Sequence, residues 1–254
     1  MLISVNELVR NFKVSPRNVL HVGAHLAEEY EEMCKSGWGI DGITWVESQE
    51  ELCNLIRSRF EGTNQRVICA TVWSEDDVKK IFHENVNTQS SSLFELGTHK
   101  DSFPEMIEIG SREVTTTRID SILSETDQID FINLDIQGSE LEALKGAVRT
   151  LTKVQWIYTE VNRKETYKSC PMIQEIDIFL KKQGFSRAAT RWSFNDDWGD
   201  ALYVRNHNIF QSSLFMIKEF FLTKLLQTRY GLHDLKVFLE ETLKNAKMRD
   251  KAKN

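Results

Sequence analysis

Three short stretches of this 254-residue chain set small or charged side chains where an apolar run ends. Each of them could hold or act on a ligand. The first is His21-Val22-Gly23-Ala24-His25-Leu26-Ala27-Glu28, which follows a strand-like run and precedes an acidic, helix-prone segment. Glycine at such a junction lets the backbone approach a nucleotide-like ligand, and the free N–H groups of a helix start can face it. Small residues there also serve plain strand–helix packing. The second stretch is Trp45-Val46-Glu47, with Glu47 placed 24 positions after Gly23. That is close to the roughly 20 residues at which an acidic side chain meets a ribose in dinucleotide sites. A carboxylate suits the task because it accepts hydrogen bonds from vicinal hydroxyls. The third stretch is Ile132-Asn133-Leu134-Asp135-Ile136-Gln137-Gly138-Ser139-Glu140. Asp135 ends an apolar run, where the crevice of a doubly wound sheet opens, and a lone carboxylate there is expensive to bury without a partner. Gly138 permits a turn. Glu140 falls in a first helical turn, where a simple helix-start charge is an equally good reading.

These residues need a frame that brings them together, and the hydrophobic pattern supplies one. Short apolar runs at 19–22, 42–46, 67–70, 129–134 and 154–161 read as strands. Helix-period segments at 27–35, 49–60, 141–148 and 172–182 alternate with them; in the second, Leu52, Leu55, Ile56 and Phe60 share one face. Gly184 and the run 200–204 suggest a closing pair of strands. Such alternation implies an α/β, doubly wound, mostly parallel sheet covered on both faces. Two strand-like segments, 79–85 and 112–118, break the alternation. Between them runs a polar connection, 87–99, holding Gln89-Ser90-Ser91-Ser92. A long polar connection inside a domain is usually a binding loop, so it is expected to contact the substrate.

Composition bounds the rest. Hydrophobic residues at 41% and charged residues at 28%, with 12 Gly and 3 Pro, are a globular balance that excludes disordered and collagen-like classes. The four cysteines, Cys34, Cys53, Cys69 and Cys170, form no C-x-x-C pair, which removes zinc-ribbon and thioredoxin-type motifs and points to reduced thiols in a cytoplasmic setting. Residues 1–12 lack the basic start and apolar run of a signal peptide, and no stretch of 18 apolar residues exists to span a membrane. The net charge is −6, yet 206–254 carries nine basic against five acidic residues, so the acidic excess sits before it. An acidic body argues against nucleic acid as the partner. The organisation expected is a domain at 1–205 and a helical tail at 206–254. In the tail, Phe210, Leu214, Ile217, Phe221 and Leu225 share one helical face, suited to packing on the domain, on a second copy in a homo-oligomer, or on a membrane surface.

The order H-V-G-A-H-x-A-E-E, W-V-E, T-T-R-I-D-S-I-L, I-D-F-I-N-L-D-I-Q-G-S-E-L-E-A-L-K-G-A and W-G-D-A-L-Y-V-R resembles the FkbM family of S-adenosylmethionine-dependent methyltransferases over about 18–205. The resemblance implies a Rossmann-like methyltransferase sheet of seven strands with the last antiparallel. It implies S-adenosylmethionine as cofactor, held by Val22, Gly23, Ala24, His25, Glu47, Ser48, Ala70, Thr71 and Asp135. The methionine end would pass Gly23 and Ala24, the ribose would meet Glu47, the adenine would lie near Ala70 and Thr71, and Asp135 would face the sulfonium. It further implies O-methylation of a hydroxyl on a sugar, glycan or other small acceptor. The chain departs from the family pattern at His21, where an acidic residue is common, at Ala27, where glycine is common, and at Asn133, where lysine is common.

Methyl transfer to a hydroxyl gains from a base within hydrogen-bond reach. The candidates are Asp135, Glu160 at the end of the fifth strand, and His25 beside the turn, with His99 in the polar connection a lesser one. Asp135, Glu140 and Glu160 could converge on a hard cation, but no spacing requires it, and metal-independent transfer is expected. Two other functions stay open at this point. One is a non-catalytic binding or scaffold protein on a methyltransferase frame. The other is a nicotinamide-dependent oxidoreductase, which G-A-H-L-A in place of G-x-G-x-x-G disfavours.

Overall fold

Successive side chains of a strand point to opposite faces, so a sheet covered on both sides needs apolar residues at consecutive positions. Val19 and Leu20 do this in the strand before Gly23: both are fully buried, and they belong to two different hydrophobic clusters, one on each face. The computed structural model describes residues 1–205 apart from 99, 101, 102, 104, 195 and 196. His99 and the tail expected at 206–254 lie outside the described residues.

The chain begins with α1 (Val5–Phe12), β1 (Asn18–Val22), α2 (Tyr30–Lys35), β2 (Gly42–Glu47), α3 (Glu50–Arg59) and β3 (Arg66–Cys69). A short β4 (Thr71–Val72), β5 (Lys79–Asn85) and β6 (Glu108–Thr117) follow, then α4 (Ile119–Ile122), β7 (Phe131–Leu134), α5 (Glu140–Lys145) and α6 (Val148–Leu151). The described part closes with β8 (Trp156–Asn162), α7 (Ile173–Lys182), β9 (Phe185–Trp192) and β10 (Trp198–Arg205). Seven strands form one sheet in the order β3-β2-β1-β7-β8-β10-β9. β10 is antiparallel to both of its neighbours, and the pairs β3–β2, β2–β1, β1–β7 and β7–β8 are parallel. The expected seven-stranded sheet with its last strand reversed is therefore what the chain builds.

One face is covered by α1, α2 and α3, through Val5, Leu8, Met33 and Ile56 packed against Val19, Trp45 and Phe131. The other is covered by α4 to α7, through Ile119, Leu144, Leu151, Ile176 and Leu180 packed against Leu20, Ile132 and Ile157. The segments that broke the alternation form a separate three-stranded sheet, β4-β6-β5, inserted between β3 and β7.

Two helix boundaries differ from the sequence reading. The helix expected from position 27 starts at Tyr30, because His25 and Ala27 take left-handed φ values of 45° and 57° that a helix cannot contain. The helix expected over 141–148 is two short pieces, α5 and α6. The break falls at Gly146, whose missing Cβ would sit 2.2 Å from the Trp73 carbonyl oxygen. Close approach of the inserted sheet, rather than helix propensity, decides that point.

Burial predicts where truncation hurts. Ile132→Ala, at a fully buried position of β7, should lower unfolding free energy by about 3 kcal/mol in urea titration. Leu55→Ala, on the exposed side of α3, should stay within about 0.5 kcal/mol of the parent. Equal effects at the two positions would contradict this placement of the core.

Candidate active site

Strand order reverses at β1, whose neighbours on the two sides come from different parts of the chain. The loops leaving the carboxyl ends of β1, β2 and β7 therefore meet at one place. Backbone hydrogen bonds join them: the N–H groups of Gly23 and Ala24 donate to the Val46 carbonyl at 2.9 and 3.1 Å, and the Asp135 N–H donates to the Val22 carbonyl at 3.0 Å. Gly23 has a φ of 82°, and a Cβ on it would lie 1.8 Å from the Asp135 carbonyl oxygen. Only glycine fits this contact.

Around it lie two adjoining cavities. The first is lined by Val22, Gly23, His25, Glu47, Ser48, Ala70, Thr71 and Asp135, together with Val46, Val72, Phe82, Ile136 and Ser139. The second is lined by Met1, Leu2, Gly23, Ala24, His25, Glu28, Glu29, Asp135, Gln137, Glu160, Trp198 and Asp200, with Phe103 and Met106. All of the expected ligand-site residues thus surround these two spaces. Gly23, His25, Gln89, Asp135 and Gln137 border both. The polar connection forms part of each wall, through Thr88, Ser91 and Ser92 in the first and Asn87 and Ser90 in the second.

Glu47 is held more tightly than its sequence position suggested. Its Oε2 accepts the His25 N–H at 2.9 Å, and its Oε1 accepts the Ser48 and Gln49 N–H groups at 2.9 and 3.0 Å. One carboxylate thereby clamps the loop after β1 to the turn after β2. Oε2 keeps one further acceptor position, whereas Oε1 is saturated. His25 is fixed as well. Its Nδ1 is 2.5 Å from Glu28 and its Nε2 is 2.9 Å from Thr88 Oγ1, so both ring nitrogens are engaged.

Gln137, in a left-handed turn at φ 56°, links two carboxylates. Its Nε2 donates to Asp135 Oδ1 at 2.6 Å and to Glu160 Oε2 at 3.1 Å, while its Oε1 accepts the Tyr167 hydroxyl at 2.6 Å. Tyr167 therefore fixes which way the amide points. Asp135 is open to the cleft but enclosed by protein elsewhere; that enclosure pushes its carboxyl upward, against the pull of the Gln137 amide. Burial, followed by the charges of Asp135 and Glu140, raises Glu160 well above the ordinary carboxylate range. Burial raises Asp200 to about 6, although the Tyr158 hydroxyl donates to it. No three His, Cys, Asp or Glu side chains among the described residues are gathered so as to hold a metal ion.

Several residues escaped the sequence reading. Asp200 is one, although an isolated carboxylate in an apolar strand was the signal that singled out Asp135. Gln137, Tyr167 and Ser139 are others. The hydroxyl of Ser139 is buried at the cleft wall with no hydrogen-bond partner. Two of the three departures from the family pattern turn out to be neighbours: His21 and Asn133 face each other across β1 and β7, with Nε2 of His21 2.7 Å from the Asn133 amide. The same nitrogen lies 3.4 Å from Glu29. Burial pushes the Glu29 carboxyl up, but its hydrogen bond and charge interaction with His21 outweigh this and hold it at about 2. The third, Ala27, keeps the left-handed backbone that glycine would take, at a cost of about 1–2 kcal/mol.

Strand order, reversed last strand and cleft together define a Rossmann-like α/β fold of the methyltransferase type. Residues 21–187 match the profile of the methyltransferase FkbM domain, and the chain belongs to that family. A stretch of 81 residues is 35% identical to the 2-O-methyltransferase NoeI of Sinorhizobium fredii (strain NBRC 101917 / NGR234), covering 31% of this chain and 33% of that protein. A crystal structure of a methyltransferase FkbM from Methylobacillus flagellatus KT superposes with a TM-score of 0.50 at 18% identity, over 74% of this chain and 43% of that one, a likeness of fold. The matched parts thus span about a third of the curated relative and less than half of the solved one. Among the described residues no helix is long and apolar enough to cross a membrane.

Glu140 is not a solvated helix-start charge. It is 1% exposed, and its Oε1 accepts the N–H groups of Ile136 and Gly138 at 2.9 and 3.2 Å, closing the turn after β7. Burial raises its carboxyl to about 7. Between pH 4.5 and 7 the unfolded chain has released a proton that the folded protein keeps, so stability falls as pH rises through that window. Glu140→Gln retains an acceptor oxygen and cannot ionise. In urea titrations it should match the parent near pH 4.5 and exceed it at pH 8 by on the order of 2 kcal/mol. A variant no more stable than the parent at pH 8 would contradict the buried position of this carboxyl.

Proposed function

We propose that residues 1–205 form an S-adenosylmethionine-dependent methyltransferase that methylates a hydroxyl of a sugar, glycan or similar small acceptor. The observation that carries this reading is the pair of adjoining cavities sharing Gly23, His25, Asp135 and Gln137, one suited to a cofactor and the other to an acceptor. Family membership supports methyl transfer, and the activity for which NoeI is named, 2-O-methylation, supports a hydroxyl acceptor.

The residues present suit the cofactor. Glycine at position 23 lets the loop after β1 close on the Asp135 backbone, which sets the edge of the cleft. Val46, Val72, Phe82 and Ile136 give the first cavity an apolar lining for a purine, next to Ala70 and Thr71. The open acceptor position on Glu47 Oε2 can take one ribose hydroxyl, with Ser48 beside it. Val22, Gly23, Ala24 and His25 would flank the methionine end, with Asp135 on the side of the positive sulfur. When bound, the cofactor supplies an electrophilic methyl group on a sulfonium.

The chain's own part is to position the acceptor and to take its proton. Asp135 fits the second task best. It borders both cavities, and only Oδ1 is engaged by Gln137, so Oδ2 is open to a hydroxyl. Its upward-shifted carboxyl is a stronger base than an ordinary aspartate. His25, with both nitrogens engaged, acts as a spacer that keeps Glu28 and Thr88 in place. Glu160 borders only the second cavity. The four free thiols suit a reducing, cytoplasmic setting.

Calorimetric titration with S-adenosylmethionine tests the cofactor half. The parent should bind at one site. Gly23→Ala should abolish binding. Ser139→Ala should leave thermal stability undiminished, because it removes a buried hydroxyl that has no partner. Asp135→Asn should lower kcat by about 100-fold or more. Parent protein that binds no cofactor would overturn the reading.

A further inference from the structure

The second cavity has a charge arrangement that methyl transfer to a neutral hydroxyl does not call for. Glu160 on β8 and Asp200 on β10 are direct partners in the antiparallel register, both on the face that opens into the cavity. Like charges placed directly opposite each other weaken a strand pair. Both side chains are more than nine-tenths buried, at 7% and 6% exposure, so solvent screens the pair poorly.

Each of the two also presents an oxygen without a partner. Glu160 Oε2 is engaged by Gln137, whereas its Oε1 accepts no hydrogen bond from any described residue. Asp200 Oδ2 accepts the Leu2 N–H and the Tyr158 hydroxyl, both at 2.5 Å, and its Oδ1 accepts nothing from the described residues. The other acidic groups of the wall differ: Glu28 is matched by His25 and Glu29 by His21. Among the described residues no Lys or Arg lines this cavity; the cationic group at its wall is the Met1 amino group, whose charge acts on Asp135 and Asp200 and leaves Glu160 uncompensated.

We infer that the second cavity binds an acceptor carrying a protonated amine, which sits between Glu160 Oε1 and Asp200 Oδ1 while a hydroxyl of the same molecule reaches Asp135. An ammonium donates up to three hydrogen bonds and so can serve both free oxygens at once. Charge-assisted bonds of this kind are roughly twice as strong as neutral ones. Trp198, Phe103 and Met106 supply the apolar wall against which the carbon frame of a small ring can rest. The ligand class is an amino sugar or a comparable cyclic amino alcohol. A phosphorylated or carboxylated sugar would meet Asp135, Glu160 and Asp200 with the wrong sign. This identification of the acceptor rests on the methyltransferase reading given above.

The test compares three sugars that share one ring and differ in charge, D-glucosamine, D-glucose and D-glucuronate, by calorimetry on the full chain with and without S-adenosylmethionine. Glucosamine should bind about tenfold or more tightly than glucose, and glucuronate should show no binding. In Glu160→Gln and Asp200→Asn, separately and together, the glucosamine-to-glucose ratio should fall toward one. Glucuronate binding as tightly as glucosamine, a ratio unchanged in the double variant, or no glucosamine binding by the parent would each overturn the inference. Circular dichroism confirms that the variants fold, and either single variant alone suffices for the comparison. Cofactor titration in the same preparation separates the two ideas: cofactor binding without amine preference sinks only this one, and amine preference without cofactor binding sinks the methyltransferase reading.

Discussion

The site depends on a backbone contact in which no side chain takes part. Gly23 lies so close to the Asp135 carbonyl that a Cβ would be 1.8 Å away, and this contact ties the loop after β1 to the loop after β7. Parallel pairing of β1 with both β2 and β7 brings three strand ends to one edge. The Glu47 carboxylate then clamps the second of those loops to the first through three N–H groups. The positions of His25, Asp135 and Gln137 at the boundary of the two cavities follow from these restraints.

Burial of carboxyl groups is the second organising feature. Asp135, Glu140, Glu160 and Asp200 all have their carboxyls raised, and burial is the leading cause in each case. They do different work. Glu140 satisfies the turn that it follows, Asp135 is open to both cavities, and Glu160 and Asp200 face each other across two strands. Burial disfavours the charged form of each of these carboxyls, and a cation placed beside one of them would favour it again.

Much of this frame is visible in the sequence, for definable reasons. Runs such as Val19-Leu20 and Phe131-Ile132 are apolar at consecutive positions because the sheet is covered twice, so the strands and their alternation with helices stand out. Gly23, Glu47 and Asp135 interrupt those runs at their carboxyl ends, which is where the cleft opens. The sequence does not show partnership across strands. That His21 and Asn133 touch, that Glu160 opposes Asp200, and that Gln137 bridges two carboxylates all depend on register and on a left-handed turn. The same limit explains the helix boundary at Tyr30: composition favours an earlier start, and the φ values of His25 and Ala27 forbid it. Gly146 reads as a weak point in a helix until the inserted sheet is seen to press on it.

In the function proposed above the two cavities work together, one holding a methyl donor and the other its acceptor. The most direct measurement is mass spectrometry of a mixture of neutral, amino and acidic carbohydrates after incubation with the full chain and cofactor bearing a deuterated methyl group. One labelled methyl is expected on a hydroxyl oxygen of a member of that mixture, in proportion to enzyme and time. Protein that binds the cofactor and transfers its methyl group to nothing in such a mixture would contradict it.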